Sequence, residues 1–459
     1  MVPPGSGAQL MSTVTAWSDP NESLDLIKAF TSPLVGIVPR IFHKVHDLDD
    51  SYTYAIGSET AASTELIGAP ANQFNGGGDT DETITRLAAV GESVERYSAA
   101  WIPVDALEFG STEDLSRRGL TTVDLATLPL FSDEQYAQTG FRFERPTSET
   151  ALHWRESSDL ATGRIVHVPA QLVHLSAGFP TPESHIGYAT SSGLAFHATP
   201  IEAVLGGTFE LFERDAFVQT WYGQLSLPLI DTSTDPALTR FLRRYCERSG
   251  TESELVDMTE LTGVPTVLAV TRNRASDVAP IALGAASAPT LARAAASAAV
   301  ESLQTRNWVK AEQRDGTTLQ PNPSTYDTDV VDFVDHICLY AHPDMIRHTE
   351  FLTASTHRRD VRDSPVLPSN NPAELLDALL EVAGASGIDL MTVNMTSPDV
   401  AEGGGHVFRT FSPQLQPLDV GFRRRYLGGQ RLRSHAHSLG LRDTKVTTAS
   451  INPHPHPFP

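Results

Sequence analysis

The sequence predicts a mixed α+β fold built as a single large domain. The chain has 459 residues, of which 40% are hydrophobic and 20% are charged, and this composition is typical of a globular protein. Segments whose apolar residues recur at helical spacing alternate with short apolar runs of strand type. No segment repeats with a period of roughly 20–50 residues, which excludes a solenoid.

The individual elements follow from local patterns. Four segments have helical apolar spacing, namely 82–101, 201–221, 291–313 and 372–383. The apolar run 32–42 and the segment 389–395 are predicted as strands, and 75–81 as a glycine-rich turn. Thr199 followed by Pro200 suits a helix start, because threonine caps helices and proline fits the first turn.

The predicted domain organisation is simple. Residues 1–31 form an N-terminal extension, and residues 32–459 form one domain that ends in the proline-rich tail 451–459. Four prolines alternate with other residues in this tail, which ends PHPHPFP. On composition alone such an end is read as disordered.

Composition also excludes several classes of protein. The net charge of −22 disfavours nucleic-acid binding, which needs a basic surface. No run of about 18 apolar residues and no signal peptide is found, so neither a membrane span nor secretion is expected. The two cysteines, Cys246 and Cys338, are too few for a disulfide framework and fit a cytoplasmic location.

The pattern Glu-x-x-Glu-Arg occurs twice, once in each of the first two predicted helices. The residues are Glu92, Glu95 and Arg96, then Glu210, Glu213 and Arg214. Residues three and four apart share a helix face, so each motif places its acids and its arginine side by side. Glu202, eight residues before Glu210, lies on much the same face.

Two interpretations of these acids are open. Glu–Arg pairs on helices are usually solvated ion pairs of little energetic value. Here the flanking residues are largely apolar, such as Val94, Phe209 and Phe212, which favours a semi-buried site. Buried carboxylates need paired cations, and Mg²⁺ shared with nucleotide phosphates would supply them, with the arginines contacting phosphate. The chain has no Walker A motif.

These motifs carry a resemblance to a known family. GGGDTDETITRLAAVGESVERYS resembles the ATP-binding segment of the YcaO family, and SSGLAFHATPIEAVLGGTFELFERDA resembles its second signature. SPLVGIVPR, ESLQTR and the stretch from NMTSPDV to YLGG are similar to the family as well, so the resemblance covers residues 32–459. The chain departs from the family pattern at Ala88, at Gly206 and in the glycine turn, which lacks a lysine.

The resemblance implies that the protein uses ATP to activate a backbone amide in a ribosomally made peptide. It implies Mg²⁺ ligands at Glu92, Glu95, Glu202, Glu210 and Glu213. It implies phosphate contacts from Arg96 and Arg214, the latter also catalytic, with Gln304, Arg306 and Arg409 as weaker nucleotide-binding candidates. In this chemistry a nucleophile adds to the amide and the amide oxygen leaves as phosphate, so catalysis is mainly positioning and charge stabilisation.

The tail selects among the family's reactions, which yield azolines, thioamides or amidines. Azoline-forming members end in Pro-x-Pro-x-Pro, and Pro455, Pro457 and Pro459 match that pattern. The resemblance therefore implies a catalytic tail whose terminal carboxylate at Pro459 acts as acceptor or base. Prolines pre-set an extended path, so such a tail loses less entropy on docking.

The prediction is thus a cyclodehydratase that forms thiazoline or (methyl)oxazoline rings in a precursor peptide. The extension is too short for a leader-binding domain, so a separate partner of the E1-like (ThiF-like) type, possible oxidation by a flavin dehydrogenase, and a homodimer are expected. The alternatives are a thioamide- or amidine-forming enzyme and a scaffold without turnover. A zinc site at His435, His437, His454 and His456 is disfavoured by its spacing.

Overall fold

The computed structural model describes residues 16–176, 178–247 and 250–458. Numbered in chain order, its α-helices are α1 Pro20–Lys28, α2 Ser63–Ile67, α3 Glu82–Ala100, α4 Thr112–Arg117, α5 Asp133–Tyr136, α6 Pro200–Gly223, α7 Pro236–Tyr245, α8 Thr259–Thr262, α9 Leu291–Asp315, α10 Tyr326–Asp329, α11 Phe333–Tyr340, α12 Pro372–Ala385, α13 Pro398–Glu402 and α14 Gln430–Ser438. Its strands are β1 Arg40–His43, β2 Tyr54–Glu59, β3 Phe74–Asp79, β4 Leu107–Gly110, β5 Leu152–Asp159, β6 Ile165–Pro169, β7 Leu194–His197, β8 Leu229–Asp231, β9 Thr251–Asp257, β10 Thr266–Asn273, β11 Ile281–Ser287, β12 Arg358–Asp360, β13 Met391–Asn394 and β14 His406–Phe411.

The strands form three sheets. Sheet A has the order β1-β2-β3, sheet B β11-β10-β9-β8-β12, and sheet C β4-β5-β13-β14-β7 with β6 paired to β5. Within the described ranges β8 and β12 form the one parallel pair, and the other pairings are antiparallel. Antiparallel sheets combined with long helices confirm the predicted mixed α+β class.

The four predicted helices are confirmed as α3, α6, α9 and α12, each ending within two residues of its predicted bounds. The start of α6 follows the predicted chemistry. Thr199 is the N-cap, its hydroxyl oxygen accepts a hydrogen bond from the backbone N–H of Glu202 at 3.4 Å, and Pro200 occupies the first turn. The predicted strand at 389–395 is present as β13. The glycine-rich turn predicted at 75–81 is wrong over most of its length, because Phe74–Asp79 forms strand β3, paired with β2.

The predicted strand at 32–42 is wrong over most of its length, since only β1 forms there. The reason is a tight turn at Gly36, whose N–H donates to the carbonyl of Ser32 at 3.1 Å. A Cβ on Gly36 would lie 2.3 Å from the backbone nitrogen of Ser32, so only glycine fits. A helix also occurs inside the predicted extension: α1 buries Ile27 in the main core, and Phe30 follows it there.

Three helices line the space between the sheets. α3 packs on β2 and β3 of sheet A, α6 packs on β7 and β14 of sheet C and on β11 of sheet B, and α9 packs on β10 and β11 and reaches β3. Two glycines permit this closeness. A Cβ on Gly77 in β3 would meet the carbonyl of Thr85 in α3 at 2.6 Å, and one on Gly284 in β11 would meet the backbone nitrogen of Ser302 in α9 at 2.2 Å. The backbones of the helices and strands therefore touch directly.

The helices of the described ranges include none with the length and apolar character that a membrane crossing requires.

Candidate functional site

The two Glu-x-x-Glu-Arg motifs adopt the same local arrangement on α3 and α6. Arg96 lies 3.3 Å from Glu92 and 3.1 Å from Glu95, measured between guanidinium nitrogen and carboxylate oxygen. On α6 the matching distances from Arg214 are 3.5 Å to Glu210 and 3.4 Å to Glu213. The helical spacing read from the sequence therefore yields two equivalent triplets, each with one cation between two acids.

A fifth glutamate joins these four, and the sequence reasoning did not single it out. Glu301 on α9 accepts a hydrogen bond from the backbone N–H of Ala285 at 3.2 Å and interacts electrostatically with Arg214, Glu210 and Glu92. It opens the quoted ESLQTR segment, three residues before Gln304 on the same helix face. We refer to the five acids Glu92, Glu95, Glu210, Glu213 and Glu301 as the glutamate cluster.

Burial and mutual repulsion perturb the cluster strongly. Burial raises the pKa of Glu95 to about 8, opposed by Arg96 and reinforced by Glu210 and Glu92. Burial likewise raises the pKa of Glu301 to about 7 and lifts the pKa of Glu213 well above its ordinary value. The charge of Glu210 on α6 contributes to the raised pKa of Glu95 on α3, so the two motifs lie close to each other. Ionised carboxylates in such surroundings are energetically costly unless additional cations are present.

Arg409 and Gln304 border the cluster. Arg409 on β14 is buried, donates to the carbonyl oxygens of Ser192 at 3.0 Å and Thr190 at 2.7 Å, and has its pKa lowered to about 9 by burial despite Glu210 and Glu95. Gln304 packs on the glycine strand so closely that a Cβ on Gly78 would lie 1.9 Å from its amide nitrogen. The structure therefore brings both weaker candidates to the edge of the site.

Two predicted residues have other partners. Glu202 at the start of α6 accepts hydrogen bonds from Ser18 at 2.8 Å and from the Thr199 hydroxyl at 2.7 Å, and lies roughly 12 Å along the helix axis from Glu210. Arg306 donates to Asp49 at 2.5 Å and to Asp50 at 3.2 Å. Neither side chain belongs to the glutamate cluster in this structure.

The C-terminal segment 452–458, called the tail below, is docked rather than frayed. Its residues from Pro455 to Phe458 are buried. Side chains of α6 and α11 donate hydrogen bonds to its carbonyl oxygens: Trp221 to His454 at 3.1 Å, Tyr340 to Pro455 at 2.7 Å and His336 to His456 at 2.7 Å. Proline lacks an N–H, so this segment offers mainly acceptors, and these three donors satisfy three consecutive carbonyls.

The docked tail leads to the glutamate cluster. The ring of Phe458 is fully buried, and its centroid lies 4.5 Å from the ring centroid of Phe217. The guanidinium carbon of Arg214 lies over the Phe458 ring, 4.5 Å from the ring centroid. The tail thus contacts the arginine of the second motif directly. Pro459, the predicted catalytic terminus, lies outside the described residues, and Pro457 lies within the buried stretch.

Comparison with known proteins identifies the family. The model of the YcaO family, described as a YcaO cyclodehydratase that binds ATP and Mg²⁺, matches residues 75–416. The chain belongs to the YcaO family. A curated relative, an uncharacterized protein in the tfuA 3′ region of Rhizobium leguminosarum bv. trifolii, is 32% identical over 205 residues, which are 43% of this chain and 44% of that protein.

Solved structures share the fold. A heterocyclase in complex with substrate and cofactor matches with a TM-score of 0.74 and 21% identity, over 96% of this chain and 57% of that one. YcaO from Methanopyrus kandleri, bound with AMPPCP and Mg²⁺, matches with a TM-score of 0.61 and 20% identity, over 87% of this chain and 92% of that one. The chain thus spans less than half of the curated relative and little more than half of the heterocyclase.

The residues of this YcaO protein fit the nucleotide and metal that the family binds. Arg214 Nη1 is a buried atom that forms no hydrogen bond with any residue in the described ranges. Arg96 Nη1 and Glu213 Oε1 also lack hydrogen bonds there, and their ion-pair contacts are with Glu95 Oε1 at 3.1 Å and Arg214 Nε at 3.4 Å. Buried polar atoms without partners are costly, and a phosphate with Mg²⁺ offers acceptors to the arginines and a cation to the acid. The donor set of clustered carboxylates is the one that Mg²⁺ takes.

A lysine outside the glycine-rich strand β3 also faces this YcaO site. Lys44 follows β1, and its ammonium would lie 3.4 Å from a Cβ on Gly76, whose N–H donates to Glu92 at 2.8 Å. Burial lowers the pKa of Lys44 while Glu92 opposes the shift. Lys44 forms no ion pair with another described residue. The glycine-rich segment lacks the family's lysine, yet a cation reaches β3 from the end of β1, across β2, and only the pairing of β2 with both strands reveals this.

The histidines considered for zinc are dispersed. His435 bonds the carbonyl of Leu261 at 2.9 Å, whereas His456 bonds the carbonyl of Asp419 at 2.9 Å. Among the described residues, Asp47, Asp49 and Asp50 form the one group of three or more acids, histidines or cysteines whose ligand atoms all lie within 4.8 Å of one another, and it contains no histidine. No three acids of the glutamate cluster lie that close together, so the cluster would have to contract around an ion that several of its acids share.

Proposed function

We propose that this protein is an ATP-dependent cyclodehydratase that converts Cys, Ser or Thr residues of a ribosomally made precursor peptide into thiazoline or (methyl)oxazoline rings. The observation that favours this reaction over the other YcaO reactions is the docked tail. Its Phe458 ring contacts Arg214 of the second motif, so the proline-rich end lies beside the glutamate cluster. An ordered, buried segment in contact with Arg214 supports a positioning role for the tail in the site.

The residues have separate tasks in this proposal. The glutamate cluster would hold Mg²⁺, and Arg96 and Arg214, whose Nη1 atoms lack hydrogen-bond partners, would bind phosphate oxygens. ATP with Mg²⁺ supplies the phosphoryl group with which the amide oxygen departs. Arg409 and Lys44 place further positive charge around the same space. Fixed charges of this kind stabilise developing negative charge without reorganisation.

The tail would position the acid–base group for ring closure. The attacking thiol or hydroxyl must lose its proton, and a general base must be within hydrogen-bond reach. The terminal carboxylate of Pro459, one residue beyond Phe458, is the group that we assign to this role. Pro455 and Pro457 stiffen the path, so that the tail keeps one direction as it approaches Arg214.

Partners complete the proposal. A separate leader-binding protein of the E1-like type would deliver the precursor peptide, and a flavin dehydrogenase would act afterwards where azoles are made. The heterocyclase with a matching fold was solved with substrate and cofactor, which supports a substrate site on this fold. A homodimer is proposed on the family resemblance.

The test combines the purified chain with its precursor peptide, leader-binding partner, ATP and Mg²⁺, and weighs the peptide by mass spectrometry. The expected result is the loss of one water mass per modified residue, coupled to ATP hydrolysis. Exchange of oxygen for sulfur would instead identify a thioamide-forming enzyme, and absence of ATP hydrolysis under every condition would indicate a scaffold.

Truncation separates the tail from the nucleotide site. Removal of Phe458 and Pro459 should suppress ring formation and leave the affinity for ATP with Mg²⁺ nearly unchanged, because the Mg²⁺ ligands remain. The matched control is the full-length chain with the exposed Pro453 replaced by alanine. Full ring-forming activity in the truncated protein would contradict the role of the tail.

A further inference from the structure

Two stacked histidines lie where the tail meets the body of the protein. His336 on α11 and His456 in the tail have ring centroids 4.2 Å apart and an interplanar angle of 23°. Both side chains are fully buried. Two imidazolium ions could not share this geometry, because like charges at that distance in a dry interior repel strongly.

The hydrogen bonds fix one neutral tautomer on each ring. His336 Nδ1 donates to the carbonyl of His456 at 2.7 Å, and its Nε2 accepts from the N–H of Gly421 at 3.1 Å. His456 Nε2 donates to the carbonyl of Asp419 at 2.9 Å, and its Nδ1 accepts from the N–H of Phe458 at 3.3 Å. Each ring therefore uses one nitrogen as donor and the other as acceptor.

A third layer secures the pair. The buried carboxylate of Asp419 accepts from the Tyr222 hydroxyl at 2.9 and 3.0 Å. Tyr222 belongs to α6, the helix that carries the second motif. The tail is therefore bound to α6 on one side, through Asp419, and to α11 on the other, through His336.

We infer that His336 is a positioning residue for the tail: as a neutral donor and acceptor it fixes the backbone between His456 and Phe458, and so places Phe458 under Arg214. Its relevance to ring formation rests on the proposed function. A proton added to His336 would set Nε2–H against the N–H of Gly421, and one added to His456 would set Nδ1–H against the N–H of Phe458. Either change replaces an attraction by a repulsion.

Several charged groups around the two histidines also disfavour a proton on either ring. Arg424 and Arg425 disfavour a proton on His336, opposed by Asp332. His336 and Arg214 disfavour one on His456, where the carbonyl of Asp419 and its carboxylate, 3.7 Å from His456 Nε2, oppose them. Burial lowers the pKa of His336 to about 4 and that of His456 well below its ordinary value.

The direct test uses His336→Phe, which keeps a ring for stacking and removes both hydrogen bonds. His336→Asn is the second variant, since its amide can still donate toward the His456 carbonyl. His435→Phe is the matched control, because His435 on α14 also bonds a backbone carbonyl, but that of Leu261, which is not part of the tail. Hydrogen exchange on the full chain would report the protection of the Phe458 amide, and calorimetry would report the affinity for ATP with Mg²⁺.

We expect His336→Phe to lower the protection of the Phe458 amide by about tenfold, with a smaller loss in His336→Asn and none in His435→Phe. Ring formation should fall in proportion, while nucleotide affinity stays within about twofold. Unchanged protection in His336→Phe, or an equal loss in His435→Phe, would overturn the inference.

Acid gives an independent measurement on the unmodified protein. In the docked tail both histidines have a lowered pKa, so undocking takes up protons once the pH falls below the ordinary histidine value of 6.5. The protection factor of the Phe458 amide should therefore decrease as pH falls from about 7.5 to about 5, and His336→Phe should weaken this dependence. A pH-independent protection factor would contradict the inference. Since hydrogen exchange needs no peptide substrate, failure of ring formation would leave this result interpretable.

Discussion

Two groups of acidic side chains in this protein have opposite electrostatic characters. Asp47, Asp49 and Asp50 lie close enough together to share an ion, yet three basic side chains neutralise them. The glutamate cluster has five acids, and among the described residues only the arginines of its two motifs lie within salt-bridge distance. Proximity of carboxylates alone therefore does not indicate a metal site.

The aspartate group is internally balanced. Lys310 lies 2.6 to 2.9 Å from all three acids, Arg306 pairs with Asp49 and Asp50, and Arg314 pairs with Asp47. Hydrogen bonds from Lys310 and Arg306 hold the pKa of Asp49 at about 2. A carboxylate with a lowered pKa is already stabilised as an anion, so no further cation is required.

The glutamate cluster shows the reverse. The pKa of Glu95 is raised to about 8 and that of Glu301 to about 7, chiefly by burial. Such carboxylates are destabilised as anions until a cation arrives from outside. The comparison teaches that the direction of the pKa shift distinguishes a fold-stabilising ion network from a site that binds a cation.

Loss of one cluster acid should have the largest effect. Glu213→Gln should reduce ATP hydrolysis by about 100-fold, since a metal ligand and its charge are lost. The melting temperature of the free protein should stay the same or rise, because a buried acid with a raised pKa has been removed. Glu374→Gln, on the exposed face of α12, is the control. A Glu213→Gln protein that is both active and destabilised would reverse the comparison.

Loss of one aspartate should affect stability instead. Asp50→Asn leaves the buried Lys310 and Arg306 with one fewer partner, and should lower the free energy of unfolding by about 3 kcal/mol. Urea denaturation measures this change. Asp25→Asn, which removes an exposed pair with Lys28, should produce no measurable change. Equal effects of the two variants would show that the aspartate group is not an ion network.

Ligand binding should stabilise the protein more at high pH. The folded protein raises the pKa of Glu95 from 4.5 to about 8, so without a cation its stability falls as pH rises between these values. ATP with Mg²⁺ at 100 times its Kd should add about 2.7 kcal/mol. At one fixed concentration of ATP and Mg²⁺, set at 100 times the Kd measured at pH 8, we expect the increment in thermal stability to grow from about pH 5 to about pH 8, because the carboxylates must lose their protons to bind a cation. An increment that shrinks over this range would contradict cation binding at the cluster.

The smallest expected effect concerns Lys44. Lys44→Met should raise the KM for ATP by about tenfold without changing the melting temperature, because its ammonium faces Gly76 and Glu92 and forms no ion pair with a described residue. Lys44→Arg should recover part of the affinity. Lys28→Met on α1 is the matched control. An unchanged KM would exclude Lys44 from the nucleotide site.

Much of this protein could be predicted from its sequence because the information is local. Helical spacing located α3, α6, α9 and α12 within two residues, and the i, i+3, i+4 relation fixed the triplet around Arg96 and that around Arg214. The family assignment depends on the same local motifs. Local periodicity failed at 32–42, where a turn at Gly36 replaces the expected strand.

Other features depend on contacts between distant segments, which no local pattern encodes. Glu301 and Lys44 reach the site because α9 packs on β3 and because β1 lies across β2 from β3, while Arg306 pairs with Asp49 and Asp50. The sequence by itself determined which helices carry the acids and that the chain ends in alternating prolines. Only the tertiary structure decided which buried polar atoms remain without hydrogen bonds, and that the tail enters the body to place Phe458 against Arg214, because burial and pairing are properties of the packed chain.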